Sequence, residues 1–155
     1  MTDVQTLTIL LAQNERQRDA ALAEHQRARG AAEAAKGQVE QLRTYRREYE
    51  QRWSAQFCRE GRIELVHCYQ SFMERLTLAV EQQARVAEHA AQQVERALGT
   101  LRDCELRCAS VRKLIERRVA EQRLATERRD QKQTDEAATR AAWNRLASTR
   151  PAPLM

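Results

Sequence analysis

The strongest constraint on this chain is how little interrupts it. Its two prolines, Pro151 and Pro153, fall within the last five residues, and three of its four glycines stand alone inside long stretches of Ala, Gln, Glu, Arg and Leu. Proline and glycine are the residues that most reliably end a helix, at roughly 3 and 1 kcal/mol relative to alanine. Nothing before the final residues stops a helix for long, so the fold class is all-α. Aromatic residues are only 5% and the apolar fraction leans on Ala, which leaves a narrow seam, rather than a multilayer core, as the surface for burial.

Steps of three and four residues from Val4 reach Val4, Leu7, Leu11, Asn14, Arg18, Ala21, His25, Ala28, Ala32, Ala35, Val39, Leu42, Arg46, Tyr49, Trp53 and Gln56. Eleven of these sixteen are apolar, the pattern of a coiled-coil seam. A second register runs through Val66, Tyr69, Met73, Leu76, Val80, Gln83, Ala87, Ala90, Val94, Ala97, Leu101, Cys104, Cys108, Val111, Ile115, Arg118, Gln122 and Ala125. Between the two lies FCREGRI, Phe57 to Ile63, where Gly61 is the expected left-handed turn residue.

Two long helices with one short connection form an antiparallel coiled-coil hairpin. The expected organisation is a single coiled-coil domain over 1–155, with helix one at about 3–57, a turn at about 58–63, helix two at about 64–147 and a tail at 148–155. A reversal centred between Glu60 and Gly61 makes facing residue numbers add to about 121. The chain after Arg117 then has no partner arm, so about 118–147 is a C-terminal helical overhang of roughly 45 Å. Within it, RLATERRDQKQTDEAATRAA (Arg123 to Ala142) has one large apolar side chain, Leu124. Isolated helices are marginal in water, so this segment is either a solvated, fraying end or a surface held by another protein. Trp143 and Leu146 add apolar groups that no internal partner covers.

The net charge is +5, but 27 Lys and Arg are interleaved with 22 Asp and Glu. Interspersed signs suit a solvated helix surface better than a phosphate-binding patch, and an aromatic stacking platform for nucleic acid is lacking. No apolar run approaches the ~20 residues that span a bilayer, and no secretory signal pattern is present, so a cytoplasmic location and no membrane insertion are expected. Cys58, His67 and Cys68 are zinc-compatible residue types near the turn, but their spacing is unlike the usual zinc patterns. Cys104 and Cys108 occupy seam positions suited to small apolar side chains. His25 and His89 have no catalytic companions, and no phosphate loop appears. No enzymatic activity, metal or cofactor is therefore expected.

Two segments depart from a plain seam. Gln38, Leu42, Tyr45 and Tyr49 are spaced four, three and four, and Phe72, Leu76, Ala79 and Gln83 repeat that spacing on the other arm. The pairing rule sets 38 against 83, 42 against 79, 45 against 76 and 49 against 72. Tyr45, Phe72 and Ala79 stand one position off the seam, so this set is either a thickened core or a docking stripe. From Glu116 to Arg150 there are nine Lys or Arg and six Asp or Glu, which places more than half of the net charge in this last segment.

These segments carry a resemblance. QVEQLRTYRREY (Gln38 to Tyr49), YQSFMERL (Tyr69 to Leu76) and above all ERRDQKQTDEAATR (Glu127 to Arg140) resemble the FliJ family of the bacterial flagellar type III export apparatus. The last box weighs most, because a heptad does not dictate its polar identities. The resemblance implies a soluble antiparallel hairpin, similar in shape to the central stalk of rotary ATPases. It further implies work between the export ATPase (FliI) ring and the membrane-embedded export gate FlhA, and binding of export chaperones for late substrates.

The location so implied is cytoplasmic, peripheral to the inner membrane at the flagellar base. The family's gate-binding positions fall on Gln38, Leu42, Tyr45, Tyr49, Phe72, Leu76, Ala79 and Gln83, with Gln83 replacing the family's usual His. Ring contacts are expected on the overhang at Arg117, Arg118, Arg123, Arg128, Arg129, Asp130, Gln131, Lys132, Asp135, Glu136 and Arg140. The equivalent stalk protein of a virulence injectisome, and a nucleic-acid-binding or purely structural coiled coil, are the alternative readings.

Overall fold

The computed structural model describes residues 2–59, 61–149, 151 and 153. Two α-helices, α1 (Thr2–Phe57) and α2 (Ile63–Ser148), follow each other in the chain. Both run to within a residue of the expected limits, as an uninterrupted supply of helix formers dictates. Of the expected tail at 148–155, Ser148 closes α2, Thr149, Pro151 and Pro153 are non-helical, and the rest lies outside the described residues.

The connection differs from expectation. Gly61 does not take a positive φ, so the reversal uses no left-handed residue there. The last turn of α1 instead closes on itself: Cys58 N donates to Ser54 O (3.3 Å) and Arg59 N donates to Gln56 O (3.0 Å). An i to i−3 bond of this kind occupies a terminal carbonyl that a left-handed cap would otherwise satisfy.

Packing divides the chain into two units, Gln13–Cys108 and Met1–Ala12 with Ala109–Met155. Within Gln13–Cys108 the helices bury one stripe each. Every position of the first register from Asn14 to Trp53 is buried or half-buried, as is every position of the second from Val66 to Cys108. Ala21, Leu101 and Cys104 form one core cluster. A small residue on α1 there leaves room for a larger one on α2, the interdigitation a narrow seam needs. Cys108 is the most deeply buried side chain of this seam.

Polar seam residues keep their heads outside. Arg18 is half-buried, and its Nε and Nη2 both donate to Asp19 Oδ1 at 3.2 and 3.0 Å. That hydrogen bond holds the guanidinium above its ordinary pKa, while the aliphatic stem serves the seam. Farther along, Gln83 Nε2 donates to Gln38 Oε1 at 2.7 Å, the pair expected from the reversal point.

The second unit is a short pairing followed by an open helix. Val4, Leu7 and Leu11 are half-buried, as are Val111 and Ile115. Arg118 Nη1 donates to Asp3 Oδ2 at 3.0 Å. Arg118, expected to begin the partnerless segment, is thus still held by the first arm. From Glu116 to Thr149 every side chain is exposed. The positions Gln122 and Ala125 continue the register with no arm to meet them.

Leu101→Ala should lower the free energy of unfolding by about 2–5 kcal/mol, the range for truncating a buried leucine. Leu146→Ala, at a position 67% exposed, should change it by about 0.5 kcal/mol or less. Urea melts followed by circular dichroism compare the two.

Candidate interaction surface

Labelled as heptads, α1 places Val39, Arg46 and Trp53 at a and Leu42 and Tyr49 at d. On α2, Met73 and Val80 are at a and Tyr69, Leu76 and Gln83 at d. The g positions, Gln38 and Tyr45 on α1 and Phe72 and Ala79 on α2, border one flank of the antiparallel pair, and the e positions border the other. The eight predicted gate-binding residues are therefore a g flank with the d residues beside it.

The structure separates these eight by exposure. Leu76 is a core residue at 7% exposure and Tyr45 is 47% exposed. Leu42, Tyr49, Phe72, Ala79 and Gln83 are half-buried and Gln38 is exposed. The set is thus divided: Leu76 and Tyr49 hold the arms together, while Tyr45 and Gln38 face outward.

Sequence spacing missed part of this arrangement. Every Tyr and Phe of the chain, with Trp53, joins one ring cluster at the connection end of the hairpin. Tyr45, Tyr49, Trp53 and Phe57 touch in succession, at centroid distances of 6.1, 5.7 and 5.4 Å. Phe72 lies 4.3 Å from Tyr49 and edge-on to Tyr45 at 6.4 Å. Tyr69 contacts Tyr49, Trp53 and Phe57 at 6.3, 5.7 and 5.3 Å.

A four-residue step advances a side chain by about 40° around a helix. The row from 45 to 57 consequently starts on the g flank, crosses the seam and ends on the e flank. This explains why Phe57 is half-buried where the register predicted Gln56, which is exposed. The signal was in the sequence as aromatic residues at steps of four, which a strict heptad count passes over. Such ring pairs contribute about 0.5–1.5 kcal/mol each beyond area burial.

The two flanks also differ in charge. On the e side, Lys36, Glu40, Arg43, Arg47 and Glu50 line α1, with Arg43 Nη1 3.3 Å from Glu40 Oε1, and Glu74, Glu81 and Glu88 line α2. An open groove of about 760 Å3 lies on that side between Arg46, Glu50, Tyr69, Met73 and Leu78. On the g side between residues 31 and 45, the outward residues Ala31, Ala34, Gln38, Gln41 and Tyr45 are all uncharged. Opposite them, Phe72, Ala79, Gln82 and Val86 are interrupted by the single charge of Arg75.

The predicted ring contacts, Arg117 to Arg140, lie on the exposed part of α2. Arg128, Gln131, Lys132, Asp135, Glu136 and Arg140 share one face with Thr139, as steps of three and four require. Arg118 among them donates to Asp3. Trp143 and Leu146, one turn apart, are 73% and 67% exposed.

Among the described residues no cluster of His, Cys, Asp and Glu could hold a metal ion, and Cys58 and Cys68 are exposed, unpaired thiols. No helix among them is long and apolar enough to cross a membrane. The family model described as the flagellar FliJ protein matches residues 4–147. No curated protein and no solved structure matches the chain significantly.

Tyr49→Ala removes a ring that touches Tyr45, Trp53, Tyr69 and Phe72 and should destabilise the hairpin by about 3 kcal/mol, at the low end for a large aromatic in a core. Tyr45→Ala should cost about 1 kcal/mol or less. Thermal melts of the two variants, with near-ultraviolet dichroism reporting the ring cluster, test that division.

Proposed function

Because the chain belongs to the FliJ family, whose members are components of the flagellar export apparatus, we propose that it couples the export ATPase FliI to the export gate FlhA. The observation that carries this reading is the helix from Glu116 to Ser148, all of whose side chains are exposed. A chain that extends a helix well past its own partner arm has a surface for a partner outside itself. The composition of that surface indicates what kind: Arg, Lys, Asp and Glu interleaved, with large apolar groups confined to Val119, Leu124, Trp143 and Leu146.

We place this helix in the central hole of the ATPase ring. Arg117, Arg123, Arg128, Arg129, Lys132 and Arg140 would donate to carboxylates lining the hole, and Asp130, Asp135 and Glu136 would meet ring cations. Exposed ion pairs are worth only about 0–1 kcal/mol each. Several must act together, and complementary charge then fixes orientation and register more than raw affinity. A rod of this kind promotes assembly or turnover by preferring one arrangement of the ring subunits over another.

The gate is assigned to the g flank. Tyr45 and Gln38 are outward there, and Phe72 and Ala79 lie half-covered beside them, a small apolar surface rimmed by polar groups of the kind used in protein contacts. Gln83, bonded to Gln38, stays neutral at every physiological pH, so this contact is insensitive to pH. Export chaperones for late substrates are further partners in this reading, and the chain is assigned to the cytoplasmic face of the inner membrane at the flagellar base.

Truncation after Gln122 preserves the Asp3–Arg118 pair and the whole g flank. The shortened chain should lose FliI binding and stimulation of its ATPase activity while keeping FlhA affinity within about twofold, and the full-length chain should lose its stimulation as salt rises, because exposed charges are screened. A truncated chain that stimulates the ATPase as the intact one does would overturn the stalk assignment.

A further inference from the structure

The docking strip on the g flank has ends that can be located. Toward the connection it meets Glu48 and Arg52; at its other end stands the ion pair of Glu24 and Arg27, 3.3 Å apart. Between them the outward surface is uncharged apart from Arg75. The eight residues so far assigned to the gate stop short of that far boundary, at Gln38 and Gln83.

Val86 lies in the remaining stretch. It follows Phe72 and Ala79 by successive steps of seven, which keep a residue on the same flank of a coiled coil, and the seam beside it is unbroken from Val80 to Ala90. Phe72 and Ala79 are half-covered, yet Val86 is 53% exposed, because small Ala31 occupies the matching g position on α1. A β-branched apolar side chain left open within an uncharged strip, on a chain that is 32% charged, is unlike its surroundings on the other flank. There the outward positions carry Lys, Arg and Glu.

We infer that the docking strip runs one heptad beyond Gln83 and Gln38, and that Val86 is a further contact residue for the partner bound at Tyr45, received by an uncharged apolar surface of that partner. The inference rests on the assignment of the g flank to the gate. Its support is continuity: no charge separates Val86 from Ala79, Gln82 and Gln83, and the first ion pair beyond it marks the end of the strip. An apolar partner surface that covers Tyr45 and continues along the helices reaches Val86 without having to desolvate a charge, whereas the e flank would impose that cost at every turn.

The test measures binding of detergent-solubilised FlhA to the full-length chain and to Tyr45→Ala, Val86→Lys, Val86→Asp and Leu78→Lys. Leu78 is 55% exposed on the other side of α2 and serves as the control for an added charge. Both Val86 variants should lose affinity about tenfold, whichever sign they carry, since either buries an unpaired charge, and Leu78→Lys should stay within about twofold. Melting curves of the Val86 and Leu78 variants should be unchanged, as both sites are exposed.

If Tyr45→Ala weakens binding and both Val86 variants bind as the parent does, the extension is wrong and the gate assignment stands. If none of the variants weakens binding, the gate assignment itself has failed and the extension with it. Loss at Leu78→Lys equal to that at Val86 would make the effect one of net charge and overturn the inference. So would a change in sedimentation with FlhA affinity intact, which would show the strip to be a contact between copies of this chain.

Discussion

A helix lying along one other helix can hide one stripe of its surface and no more. Among the described residues no third element covers what remains. The apolar content is low and weighted to Ala, as a narrow seam requires, and small residues such as Ala21 and Ala35 recur where the arms come close. Stability is then a sum of layers along the helices rather than a property of one centre, and each layer is modest. Most side chains are left outside, so the surface rather than the interior is where function can reside. Charge pattern and stray apolar groups on that surface become the informative features.

Much of this was legible in the sequence because the seam obeys a fixed period. The alternation of three and four from Val4 and from Val66 named the buried positions almost without exception. A single assumed reversal point placed Gln38 against Gln83, but it left Arg118, which Asp3 holds, in the partnerless segment. The connection was less legible. A glycine at the turn invites a left-handed residue, yet Gly61 is not one, because α1 closes its own last carbonyls. Gln56 was misplaced for another reason. The aromatic rows obey a step of four rather than three and a half, and ring contacts outweighed the heptad within the last two turns of α1.

The candidate surfaces were legible in part. Spacing isolated the stripe from Gln38 to Gln83, but spacing alone is silent on exposure, and only the packed arms separate Leu76 in the core from Tyr45 outside it. The contrast between an uncharged and a charged flank also needed both helices in place, since residues far apart in sequence make up each side. The exposed helix beyond Arg118 required no such assembly. Its scarcity of large apolar residues from Arg123 to Ala142 is plain from a single line of sequence.

The oblique row of rings from Tyr45 to Phe57 makes the two flanks inequivalent. A hairpin of two uniform helices looks nearly the same from its front and its back, so a partner could grip it either way round. Here the row emerges as Tyr45 on one side and passes under the seam to Phe57 on the other, with the charged rows on the Phe57 side. The hairpin therefore has a face and a reverse, and whatever closes around it can read which way it is turned.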